Sequence, residues 1–75
     1  MKSLEEGTYY TVIDGRFKGI TAVAVEAMEG SRIVHCLYSP DFGNEAGIIS
    51  FFGSFDSLRK STVEEELALR RRIED

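Results

Sequence analysis

Short apolar runs separated by glycine-bearing turns occupy the chain up to Lys60, and a different period takes over after Ser61. Thr8–Ile13 (Thr-Tyr-Tyr-Thr-Val-Ile) is rich in aromatic and β-branched residues and predicts a strand. Ile20–Met28 alternates bulky Val23 and Val25 with small Ala22 and Ala24. One of its faces suits a core, and the other admits another backbone at close range. Glu29-Gly30-Ser31 predicts a turn and Arg32–Tyr38 a third strand, so the second and third runs form a hairpin. Ser39–Gly47 carries loop chemistry. Ile48-Ile49-Ser50-Phe51-Phe52 predicts a fourth strand, with a bend or bulge at Gly53 and Phe55 beyond it.

After these runs, Ser61-Thr62-Val63-Glu64 matches a capping box with Ser61 as N-cap. Glu64, Glu65 and Glu66 near the start and Arg70, Arg71 and Arg72 near the end suit a helix dipole, and Glu66 with Arg70 makes an i,i+4 pair. Val63, Leu67, Leu69 and Ile73 spread over a wide arc rather than a narrow stripe. The pattern predicts one mainly β domain. Residues 1–60 form a small barrel or a strongly bent four- to five-stranded antiparallel sheet, and residues 61–75 a C-terminal α-helix near 62–73, packed on the barrel or frayed.

Composition narrows the function classes. A chain of 75 residues with 43% hydrophobic positions folds as one domain but has little room for a deep, water-excluding pocket, which argues against an enzyme. The net charge of −4 lacks the basic bias of a domain that binds nucleic acid through its overall field, and fits a protein partner better. One cysteine, Cys36, excludes an intrachain disulfide and suggests a reducing cytoplasm. The acidic N-terminal residues argue against a signal peptide, and no apolar run is long enough to span a membrane.

Asp14-Gly15-Arg16-Phe17-Lys18-Gly19 combines a tight turn with two cations and an aromatic ring. The sequence of strand, Gly-Arg-Phe-Lys-Gly turn, strand, turn and strand resembles the KOW motif of SH3-like barrels in NusG-class elongation factors and ribosomal proteins. Gly15, Phe17, Lys18, Gly19, Ile20, Val23, Val25 and Glu26 match the pattern across residues 8–38. Arg16 stands where proline is common and Ala22 where the motif glycine falls. The resemblance implies an SH3-like fold that catalyses nothing and contacts RNA or the transcription and translation machinery through its loops, here through Arg16, Phe17 and Lys18.

Each candidate residue has two readings. Phe17 is a recognition aromatic or a cap folded back onto the core. Phe42 is a binding anchor or a plug for one end of the barrel. Of Phe51, Phe52 and Phe55, at least one lies outside the core, either under the C-terminal helix or in an exposed patch, which makes Phe52 a candidate contact. His35 and Cys36 point to opposite faces of a strand and cannot together chelate a metal; Cys36 reads as a small buried hydrophobe. Asp41-Phe42-Gly43 spells the kinase magnesium tripeptide without any other kinase element, and Asp41 reads as a turn former after Pro40.

The resulting expectation is a small, acidic, non-enzymatic adaptor or regulator in the cytoplasm that binds a protein partner without cofactor, metal or membrane. An inhibitor of a nucleic-acid-handling enzyme is one form of it. The alternative is a KOW-like module that binds RNA or the transcription and translation machinery through the Gly15–Gly19 turn.

Overall fold

A computed structural model describes residues 4–50 and 57–74. Five strands appear in chain order: β1 (Tyr9–Val12), β2 (Thr21–Glu29), β3 (Arg32–Tyr38), β4 (Ile48–Ser50) and β5 (Leu58–Lys60), followed by helix α1 (Val63–Glu74). They form a single antiparallel sheet in the order β4-β3-β2-β1-β5. Of the two architectures the pattern allows, the protein adopts the antiparallel sheet with a C-terminal helix. β4 and β5 are opposite edges, and among the described residues no ladder joins them into a barrel. The predicted strand through Phe51 and Phe52 and the bend at Gly53 lie partly outside the described residues, as does Phe55.

Register sorts the side chains. Tyr10 pairs with Ala22, Ala24 with Leu37, Leu37 with Ile49 and Val12 with Leu58, so these residues share one face. Leu4, Phe17, Ile20 and Phe42 pack over that face and complete the core. The small residues Ala22 and Ala24 leave room for Tyr10, which is fully buried and accepts a hydrogen bond from the Glu5 N–H on its hydroxyl (3.2 Å).

The opposite face is more polar and carries α1. Thr21 lies on it and lines a shallow cleft with Ala68, Leu69 and Arg72, and α1 packs against β2. Leu69 is the buried residue of the helix, while Val63 and Leu67 are exposed, as expected for apolar positions spread over so wide an arc. On the same face Thr11 is buried, with its hydroxyl in contact with those of Thr21 (3.0 Å) and Ser61 (2.8 Å).

The helix cap sits one residue later than the sequence suggests. Thr62 Oγ1 accepts from the Glu65 N–H (3.2 Å), and Glu65 Oε1 accepts from the Thr62 N–H (2.8 Å), so Thr62 is the N-cap and Glu65 the N3 residue. Ser61 is drawn away from capping by its contact with Thr11, and its own N–H, just past β5, bonds to the carbonyl of Tyr9 on β1 (3.0 Å). The Glu65 carboxylate also accepts from the two terminal guanidinium nitrogens of Arg59, at 2.7 and 2.8 Å.

Candidate functional site

The Gly15–Gly19 turn closes the β1–β2 connection tightly. Val12 N–H donates to the Ile20 carbonyl (2.9 Å), and Gly19 N–H donates to the Val12 carbonyl (2.7 Å). Asp14 Oδ1 accepts from the Gly15 N–H (2.8 Å), and Gly15 adopts φ +84°, the left-handed conformation the turn needs. Inside the turn Lys18 N–H reaches the Gly15 carbonyl (3.2 Å). This ladder directs Phe17 back over the core, where its ring meets that of Phe42 edge-on, with centroids 5.0 Å apart at 67°. Arg16 and Lys18 stay exposed, with the Arg16 guanidinium 5.4 Å from the centre of the Phe17 ring.

Phe42 is buried in the core, at the end of a 3₁₀ turn over Pro40–Phe42. Ser39 caps that turn by accepting from the Asp41 N–H (3.2 Å). Ser39 therefore provides the turn-forming oxygen, not Asp41 as the sequence suggested. The Asp41 carboxylate instead pairs with Arg72 of α1 and ties the helix to the loop. Arg16, Phe17, Lys18 and Phe42 are thus brought together at one end of the sheet, but only the two cations are presented outward. Phe52 lies outside the described residues. His35 is exposed and Cys36 buried on the opposite face, as their adjacent strand positions require.

A second surface lies at the far end of the β2–β3 hairpin. Glu29 pairs with Arg32 across a two-residue loop, Gly30-Ser31. Gly30 has φ +64° and Ser31 a negative φ, the combination of a type II′ turn. β1 pairs with β2 only as far as Val23, and the backbone of Ala24 bonds to Gly7 (2.8 Å) and Thr8 (2.9 Å) before the chain turns away. Among the described residues β4 pairs with β3 over Cys36–Tyr38. The outer half of the hairpin, Val25–Glu29 with Arg32–His35, is therefore a two-stranded ribbon among the described residues.

Met28 and Ile33 are direct cross-strand neighbours on this ribbon, 67% and 62% exposed. They line a shallow apolar depression with Ala27 and Glu26. Sequence reasoning missed them because both fall in the same alternation phase as the core residues Ala24 and Leu37. The available signal was length, since the second and third apolar runs are longer than the described strands beside them.

Glu65 has a strongly perturbed carboxyl group. The Arg59 guanidinium foremost, then the Thr62 N–H, hold its pKa down to about 2. That arrangement is a structural clasp between β5 and α1. Among the described residues no group of three or more His, Cys, Asp or Glu side chains gathers as a metal site. No described helix is long and apolar enough to cross a membrane. No protein-family model, curated protein or solved structure matches the chain.

Proposed function

We propose that the protein is a small non-enzymatic adaptor or regulator that binds a protein partner through the outer half of the β2–β3 hairpin. The observation that supports this is the exposed pair Met28–Ile33, held side by side on a projecting ribbon. Large apolar side chains left adjacent and open to water carry a hydration cost that a partner relieves. The acidic balance of the chain suits a partner with basic surface, and an inhibitor that occupies the basic face of a nucleic-acid-handling enzyme is one form of this function. A single buried thiol at Cys36 suits a cytoplasmic setting.

The second reading is a KOW-like contact with RNA or the transcription and translation machinery. It draws on Arg16 and Lys18, both exposed on the turn that carries the motif resemblance. Capture of partners by the tagged protein, with and without nuclease, separates the two. In the first reading the partner survives nuclease and is lost with Met28→Asp and Ile33→Asp. In the second, nuclease abolishes capture, and Arg16→Ala with Lys18→Ala weakens it.

A further inference from the structure

The ribbon has an edge as well as a face. Ala24 exchanges its N–H and C=O with Thr8 and Gly7 on the β1 side of β2. Outward backbone groups recur every second residue along a strand, so those of Glu26 and Met28 point to the same side, beyond the place where β1 ends. The intervening residues Val25, Ala27 and Glu29 spend their backbone groups on Cys36, Val34 and Arg32 of β3. Two donors and two acceptors thus lie in a row without a strand partner among the described residues, and a strand edge of that kind is a template for one more strand.

Charge selects what is added. Both charged side chains on the outer half of β2 are acidic, Glu26 on the Met28 face and Glu29 on the other; on β3 Arg32 stands opposite Glu29, and His35 opposite Glu26, so it is Glu26 that has no lysine or arginine across the ladder. A second copy of the chain, also at −4, would bring the same glutamates to the shared seam. We infer that the β2 edge of the ribbon takes up an extended basic peptide segment by β-strand addition. One cationic side chain of the segment lies beside Glu26, and an apolar one, two residues along, lies beside Met28 and extends the Met28–Ile33 patch. This rests on the protein-binding reading above and specifies the backbone mode and the chemistry of the partner.

The test is titration of the isotope-labelled protein with a short blocked peptide that alternates threonine with lysine and valine, followed through the backbone amide resonances. The expected result is saturable shifts centred on Glu26–Met28, lost when alternate peptide nitrogens are methylated. Glu26→Lys should weaken binding about tenfold, the scale of one charged contact at a partly screened edge. Met28→Pro removes the outward N–H together with the apolar side chain and should abolish the shifts, whereas Met28→Ala removes the side chain alone and should only weaken them. The methylated peptide gives the same information with the native chain if Met28→Pro fails to fold. Absence of saturable shifts, equal binding of a peptide with glutamate in place of lysine, or unaltered binding of the methylated peptide would each overturn the proposal. So would concentration-dependent shifts of the same amides without peptide, which would assign the edge to a second copy. If the peptide fails while Met28→Asp and Ile33→Asp still abolish partner capture, the ribbon binds through its face, and strand addition alone is refuted.

Discussion

Replacing Phe17 with alanine measures what the Gly15–Gly19 turn is for. The Phe17 ring is partly buried, packs on the core and meets Phe42 edge-on at 5.0 Å. Truncating a fully buried phenylalanine costs about 3–5 kcal/mol, so a partly buried one should cost roughly 2 kcal/mol. Of that, about 0.5–1.5 kcal/mol belongs to the aromatic pair itself. For a domain of this size such a loss lowers the melting temperature by about 8–16 °C. Thermal and urea unfolding followed by circular dichroism would read it, and a double-mutant cycle with Phe42→Leu would isolate the ring–ring coupling. Arg16→Ala with Lys18→Ala should cost no more than about 1 kcal/mol, since both cations are exposed and only Arg16 touches an aromatic face. A Phe17→Ala loss below about 0.5 kcal/mol, with no coupling to Phe42, would refute the capping role and return the ring to the candidate contact surface.

Acid should weaken the clasp between β5 and α1. The Glu65 carboxyl falls from 4.5 to about 2 on folding, so the unfolded chain takes up the proton first, and this contribution is complete above about pH 4.5 and lost as pH falls toward 2. Solvent screening of this partly exposed pair limits the effect to about 1 kcal/mol, read as a narrowing gap between wild type and Glu65→Gln in urea midpoints taken from pH 6 down to pH 2. Thr62→Ala should cost about 1 kcal/mol and speed hydrogen exchange of the Glu65 amide, whereas Ser61→Ala should leave that amide protected; an unchanged Glu65 amide in Thr62→Ala, with the Glu64 amide deprotected in Ser61→Ala, would move the cap back to Ser61. Gly47→Ala should destabilise more than Gly30→Ala in the same urea assay. Both positions have positive φ, costing about 1–2 kcal/mol for alanine. At Gly47, however, the added methyl also lies 2.9 Å from Tyr38 Cε1 and 3.1 Å from the Ser39 carbonyl oxygen, for roughly another 1–2 kcal/mol.

Local chemistry alone determined much of this fold. The alternation of Ala22, Val23, Ala24 and Val25, the Gly30-Ser31 turn and the run Arg32–Tyr38 specify a hairpin whose register follows from the turn, because a two-residue loop leaves one way to pair its flanks. The change of period after Ser61 specifies a helix, since clustered acids and bases at its ends match the backbone dipole. β5 was not legible, because Leu58–Lys60 is too short to show a period and forms only where β1 offers an edge. The capping residue was also decided at long range: Ser61 and Thr62 each stand three residues before a glutamate and serine is the better cap in isolation, but the contact between Ser61 and Thr11 leaves the role to Thr62. Met28 and Ile33 show the same limit at the candidate site. Their phase along the strand marks them as core residues. Among the described residues no strand flanks them and both are exposed, because burial depends on what the rest of the chain places over a side chain and not on the side chain's own pattern.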